Sequence, residues 1–383
     1  MARLAKYRRI NRDNQPFAEG CTSMIQIDIN STDFTSDFVG YPLLATGFSL
    51  GSAGESLLNS EANNGCLPNG DDLRVYTDPY DSGTRLGIEI IRLETSEYEC
   101  LQACEFWIES GTVDATNGQT LYLGWGNGSN TQPLRGATYG SEDVWNQVGG
   151  PDWRLVNNGY PFNGFPDSTP NHNDLTRGRE SLYPIANVRT SPIYLGGSHS
   201  LYPVVATAAS VNAVYDSSIQ MATTFTAVIW IRKSVLPDGY ERIISRKGIY
   251  NQRYGWEVAC VTGSSNQIDM NAAYGTNYRV TLPVGANLAD NQWHQLVAVF
   301  IFDKAYLIYD GIQSTIATNM SPIQDDGISG LTIGQNLPHT EANFVGDIGP
   351  VMLADSVVGK NNMYSMYRAK IDPANHTIVT LLN

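Results

Sequence analysis

Paired carboxylates are the first chemistry to look for in a chain with 38 acidic residues. Retaining hydrolysis of a glycosidic bond needs two carboxyl groups about 5–5.5 Å apart, so both acids must project from one face of a strand. Glu89 and Glu94 differ by an odd number and face opposite sides of a regular strand. Glu97 and Glu99 share a side but sit in the run SEYE, which reads as a turn or a solvated edge. None of the histidines, His172, His199, His294, His339 and His376, is read as part of a nucleophile motif. Spacing alone leaves a Ser–His–Asp triad open.

Sugar binding asks for different groups: an aromatic platform for the apolar face of a pyranose, and amides or carboxylates for its hydroxyls. Tyr250, Asn251, Arg253 and Tyr254 precede the Gly255-Trp256 pair, and Tyr274, Asn277 and Tyr278 follow the strand that it opens. These are the candidate ligand residues. The competing reading is that tyrosine and asparagine only decorate the loops of a chain with 21 tyrosines. The cysteines are Cys21, Cys66, Cys100, Cys104 and Cys260, an odd count that argues for free thiols. Cys100 and Cys104 lack a second Cys or His pair at ligand spacing, which argues against zinc. Cys260, in an apolar run, reads as a small core residue.

The elements that must position these residues are strands. In FTAVIWIRK, Phe225, Ala227, Ile229 and Ile231 alternate with Thr226, Val228, Trp230 and Arg232, the period of a strand with one face in a core. A turn at Pro237 to Gly239 leads to RIISRKG and GWEVACV. A polar stretch precedes YRVTLPVG, and DNQWHQLVAVFIFDKAYLIYDG reads as two strands joined at Asp303 and Lys304 and closed by Asp310-Gly311. LTIGQN and FVGDIGPVMLAD complete the set. In the first half, Ile25, Ile27 and Ile29 share a strand face, and further strands fall at Tyr41 to Ala45, in GDDLRVYTD, LGIEIIRL, ECLQACEFWIES and TLYLGWGNGSN. Short strands separated by turns, with no long helical period, predict an all-β chain.

The order Phe225 to Trp230, Gly255-Trp256, Trp293 to Ala298, Leu307 to Gly311, Ile333-Gly334 and Phe344 to Leu353 resembles the laminin-G-like, concanavalin A-like lectin/glucanase superfamily. Asp167 to Thr176, DSTPNHNDLT, resembles that family's opening loop, with Pro170 and His172 in place of glycines. Phe38 to Leu44, Gly70 to Asp78, Leu86 to Ile90, Cys104 to Ile108 and Leu121 to Asn127 are similar to an uncharacterised β-rich family found directly before laminin-G-like domains in phage and bacterial surface proteins. The resemblance implies two tandem β-sandwich (jelly-roll) domains, the second concanavalin A-like. It also implies a calcium site at the sandwich rim, for which Asp167, Asn171, Asn173 and Asp174 supply oxygen ligands. The competing reading of those four is a turn that satisfies its own backbone. The glucanases of this fold place acids at alternate positions of one strand, and no Glu-x-Asp-x-Glu string occurs here, so no enzyme is expected.

At 383 residues the chain is long for one sandwich. The expected division is a basic arm at 1–20, a β-rich domain at 21–150, an irregular connection at 151–166, a laminin-G-like domain at 167–358 and a tail at 359–383. A net charge of −14 argues against nucleic acid as a partner of the body. Arg3, Lys6, Arg8, Arg9 and Arg12 crowd the start and read as a solvated terminus, as an arm docking on an acidic neighbour in an assembly, or as a contact to nucleic acid. MARLAKYRRINRDNQPFAEG lacks the apolar run of about 7–15 residues that a signal peptide needs, and no apolar stretch of about 18 residues occurs. Surface-type domains without an export signal predict a virion structural protein of a tailed phage, assembled in the host cytoplasm as capsid decoration, tail or fibre component. Its expected partners are other virion proteins, further copies of itself and a host surface glycan. The alternative is a bacterial surface glycan-binding adhesin, and a third reading is a polysaccharide-active enzyme.

Overall fold

In the computed structural model, the described residues are 16–58, 65–93, 104–158, 166–177, 188–190, 199–201, 211–213, 216–221, 223–247, 254–272, 276–318, 320, 323–324, 327, 330–334, 344–372 and 376–382. Short period-two runs fold as predicted into antiparallel strands, with two α-helices among the described residues, α1 (Gly47–Leu58) and α2 (Lys360–Ile371). The chain divides into one unit of residues 1–150 with 368–383 and another of 151–367.

The first unit contains a five-stranded sheet in the order Thr377–Leu382, Ser23–Ile29, Gln119–Trp125, Arg74–Tyr76, Arg85–Leu86. A second sheet runs Pro42–Thr46, Cys104–Glu109, Ile88–Leu93, and Phe38–Val39 pairs with Thr112–Val113. Ile25, Ile27 and Ile29 are buried as their spacing requires, and Met24 is buried too. The GDD run is a brace. Gly70 takes a positive φ of 71°, where a side chain is strained. The buried Asp72 then accepts the backbone N–H of Leu67 and of Gly126, each at 2.8 Å. Arg74 donates to the carbonyls of Asp71, Leu73 and Thr131 and pairs with Glu19 at 3.0 Å.

The segment expected as a tail at 359–383 instead holds α2 and the edge strand Thr377–Leu382, which pairs antiparallel with Ser23–Ile29. His376 fixes this return: its Nε2 lies 2.8 Å from the Tyr41 hydroxyl and its Nδ1 2.8 Å from Asp33.

The second unit has a sheet that runs Val188–Thr190, His199–Leu201, Asp347–Ala354, Thr224–Arg232, Trp293–Ile301, Lys304–Tyr309, Ile312–Gln313. The other runs Thr176–Arg177, Val211–Ala213, Leu331–Ile333, Glu241–Lys247, Gly255–Cys260, Gln267–Ala272, Thr276–Thr281. One apolar core joins them: Phe225 lies 4.6 Å from both the Trp256 and the Phe300 rings, centroid to centroid. The expected irregular connection at 151–166 contains a strand, Trp153–Asn157, paired with Asp347–Ala354. The "polar stretch" before YRVTLPVG is the strand Gln267–Ala272, whose Ile268, Met270 and Ala272 enter the core.

Thr224–Arg232 buries both faces rather than one, since Val228 and Trp230 are also enclosed and the Trp230 ring stacks on Tyr367 of α2. The hairpin turn falls at Phe302-Asp303, one residue earlier than expected, while Asp310 and Gly311 take the two positive φ values of a tight hairpin. Gly255 explains its own place in the motif. At a φ of 83°, a Cβ there would stand 1.6 Å from the Arg246 carbonyl oxygen.

Candidate functional site

Parity decides which side chains of the seven-stranded sheet face away from the core. Trp256, Val258 and Cys260 point inward, so Glu257 points out; Ile268, Met270 and Ala272 point inward, so Asp269 and Asn271 point out. Register then sets Glu257 opposite Asn271, Asp269 opposite Arg279, and Asn271 opposite Asn277. Three neighbouring strands thus contribute acids, amides and cations to one face.

Glu257 is the hub. Its Oε1 accepts from the Tyr240 hydroxyl at 3.0 Å, Lys247 Nζ at 2.8 Å and Asn271 Nδ2 at 2.8 Å, and its Oε2 accepts from Arg242 Nε at 2.8 Å. Burial works against its charge, but the Lys247 and Arg242 cations outweigh it and hold the carboxyl below the usual range. The buried Asp269 receives Arg279 Nε at 3.0 Å and Nη2 at 3.2 Å. Burial and the facing carboxylates of Glu257 and Asp269 push the Tyr240 hydroxyl far up. Over this layer the Arg242 guanidinium lies 5.1 Å from the Tyr240 ring centre, and the Arg279 side chain is 51% exposed. The face therefore carries a half-buried aromatic ring, an Arg242 guanidinium that is only 13% exposed and an Arg279 guanidinium open to solvent, held from beneath by buried acids. Two buried acceptors on the same strands, Asn271 Oδ1 and Ser245 Oγ, have no hydrogen-bond partner among the described residues.

The candidates named from sequence divide around this face. Tyr254 adjoins Gly255 and is half-buried, and Asn277 lies opposite Asn271. Lys247, Gly255, Ala272 and Thr276 end their strands at one end of the sheet. Tyr278 is a correction: it pairs with Met270 and packs against the core, because its parity is that of Val280. Tyr250, Asn251, Arg253 and Tyr274 lie outside the described residues, as do Arg3, Lys6, Arg8, Arg9 and Arg12, and Glu94, Glu97 and Glu99. Glu89 is buried and accepts from Trp145 Nε1 at 2.7 Å.

The loop assigned to calcium is closed on itself. Asp167 Oδ1 accepts the backbone N–H of Val156 and Thr169, and Oδ2 accepts the Thr169 hydroxyl and the N–H of Asn173. Asp174 Oδ1 accepts the N–H of Asp167, Asn173 bonds Ser218 and the Arg154 carbonyl, and Asn171 Nδ2 donates to the Trp153 carbonyl. Lone pairs that a cation would need already face N–H and O–H donors, so these residues do not fit calcium. Burial pushes the Asp167 carboxyl up, against the pull of those donors.

Two further signals were open to sequence reasoning. Gly47 to Gly51 reads GFSLG, a G-x-S-x-G string that follows a strand and opens α1. Ser49 is nevertheless spent on its helix end: its hydroxyl accepts the Thr46 N–H at 2.8 Å and donates to the Thr46 carbonyl at 2.9 Å, while Thr46 Oγ1 accepts the Ser49 N–H. Cys21, Cys66, Cys104 and Cys260 are buried, and burial pushes the thiols of Cys21 and Cys260 up to about 11 and about 12, so those two remain protonated at neutral pH.

His294, in the Trp293–Ile301 strand, is held by Asp310 at 2.7 Å and Asp290 at 2.9 Å and stacks on Tyr309. Burial works against its charge, yet the hydrogen bonds of the two carboxylates prevail and raise it above 6.5. A histidine raised in the folded state stabilises fully below its unfolded value and loses that contribution as pH rises through the folded value. Urea midpoints are expected to fall from pH 6 towards alkaline pH, with a shallower fall in His294→Gln; equal slopes would count against this latch.

No helix among the described residues is long and apolar enough to cross a membrane. No curated protein matches the sequence. Among solved structures, the binding domain of Paraclostridial Mosquitocidal Protein 1 is similar at 11% identity with a TM-score of 0.45, covering 58% of this chain and 53% of that one. The botulinum neurotoxin serotype D binding domain matches at 13% identity and TM-score 0.42, covering 58% and 52%. The binding domain of botulinum neurotoxin DC in complex with SialylT matches at 14% and 0.42, covering 58% and 52%. The chain thus spans about half the length of these structures. Residues 206–361, which lie within the second unit, match a family model described as the concanavalin A-like lectin/glucanases superfamily.

Proposed function

We propose that this is a non-enzymatic glycan-binding protein, and that it serves as a structural component of a tailed-phage virion that displays its lectin-like unit to host surface sugars. The observation that carries the binding reading is the outward face of the seven-stranded sheet, where Tyr240, Arg242 and Arg279 are fixed by the buried Glu257 and Asp269. A ring for stacking and guanidinium donors for hydroxyls, both pre-oriented, are what a sugar platform needs. The same geometry argues against hydrolysis. A general acid must carry a proton near neutral pH, whereas Glu257 is kept charged by Lys247 and Arg242 and Asp269 is paired with Arg279. The virion reading rests on the tandem resemblance of the two domains to families found in phage and bacterial surface proteins.

A glycan array with the full chain tests the first reading. Binding is expected to weaken about 10-fold, roughly 1.4 kcal/mol, in Arg279→Gln and in Tyr254→Ala, with circular dichroism unchanged. No binding by the intact protein to any glycan would defeat it. Proteomics of purified particles tests the second: the chain is expected among virion proteins, and its recovery in a bacterial cell envelope alone would replace the virion with an adhesin.

A further inference from the structure

We propose that Lys247 and Asn271 become joined by an intramolecular amide bond, formed by the protein itself with Glu257 as the proton carrier. The two residues stand on strands Glu241–Lys247 and Gln267–Ala272, and the strand between them, Gly255–Cys260, carries Glu257. Lys247 Nζ and Asn271 Nδ2 are each 2.8 Å from the same oxygen, Glu257 Oε1, so amine and carboxamide are no further apart than twice that length. All three side chains are buried, at 8%, 1% and 1% exposure for Lys247, Glu257 and Asn271. Asn271 Oδ1 accepts no hydrogen bond from the described residues, so none of them holds the carbonyl in place on that side.

Amine, carboxamide and carboxylate in one dry site meet at a high effective concentration, and water is kept from competing. Glu257 takes a proton from the Lys247 ammonium, and the freed amine attacks Cγ of Asn271. A C–N bond forms as the carbonyl electron pair moves to Oδ1. The new C–N nitrogen loses its proton and Nδ2 gains one, both through the Glu257 carboxyl. The C–Nδ2 bond breaks, the carbonyl re-forms, and ammonia leaves, taking the remaining proton from Glu257 as ammonium. The balance is one ammonium and one carboxamide consumed, one secondary amide and one ammonium ion made, and Glu257 regenerated.

Tyr240 and Arg242 are positioning residues here, since they hold the Glu257 oxygens. The cations favour the charged carboxylate, which keeps the neutral amine scarce and the step slow. Loss of ammonia makes it irreversible, so slow conversion still runs to completion. The bond would tie two strands across the one between them, on the face assigned to glycan, without depending on that assignment.

The test is peptide mapping by mass spectrometry of the purified full chain, fresh and after ageing at physiological temperature. The expected result is a branched tryptic peptide that unites Lys247 with Asn271, lighter by one ammonia and uncleaved after Lys247. Asn-Gly pairs such as Asn117-Gly118 and Asn127-Gly128 can also shed ammonia, so the branched peptide and not whole mass is the reading. Separate linear peptides with intact Lys247 and Asn271 in the aged wild-type chain overturn the proposal without any variant. Lys247→Arg is expected to give only linear peptides, and Glu257→Gln to give linear peptides in a chain whose circular dichroism is native-like. A branched peptide surviving in that Glu257→Gln chain would overturn the role of Glu257.

Discussion

Replacing Lys233 with methionine is expected to lower the unfolding free energy by about 3–5 kcal/mol, the range for leaving one member of a buried ion pair alone. Lys233 is fully enclosed, with Nζ 2.9 and 2.7 Å from the two Glu241 oxygens and 2.8 Å from the Val345 carbonyl. Glu241 also accepts the Val345 N–H at 3.0 Å. Burial already pushes the Glu241 carboxyl up despite the lysine, so removing the cation leaves an acid with nothing to offset its desolvation. The deficit should shrink as pH falls, because a protonated Glu241 has no charge to bury. A Lys233→Met, Glu241→Leu double variant should regain part of the loss but not all, since both polar groups of Val345 lose their partners. Urea denaturation measures each, and a single-variant loss below about 1 kcal/mol would contradict the reading.

Asp167→Ala is the second large effect, about 2–4 kcal/mol. One buried carboxylate satisfies three backbone N–H groups and a hydroxyl at the opening of the second unit. Removing it strands three backbone N–H donors and leaves the Thr169 hydroxyl only its 3.4 Å contact with the Arg154 carbonyl. Asp167→Asn should recover little, because its amide NH₂ would face donors. Calcium and chelator should leave the wild-type melting temperature unchanged, since a ligand that does not bind the native state shifts nothing. A calcium-dependent rise in melting temperature, lost in Asp167→Ala, would restore the metal reading.

Much of the second unit was legible because its motifs are local. The Gly255-Trp256 pair needs a glycine for the close pass at Arg246 and a large ring for the core, and Asp310-Gly311 encodes its own turn. The hub at Glu257 was not legible in this way. Its partners come from residues 240, 242, 247 and 271, and only the register of three strands makes them neighbours. QIDMNA hid its strand because its outward positions are an acid and amides, a polar appearance that parity explains once the neighbours are known. Tyr278 misled for the opposite reason: a tyrosine in a polar context looks exposed, and strand parity turned it inward. The strands at 153–157 and 377–382 pair with segments far away in sequence, which local patterns do not report.

The antiparallel pairing of Met24 with Leu382 places the two most distant parts of the described chain side by side in one sheet. During synthesis, therefore, the Ser23–Ile29 strand waits with one edge bare until Thr377–Leu382 has left the ribosome. Residues 151–367 have all their described pairings to hand earlier, so the unit that starts second is expected to finish first, and the opening unit to close behind it.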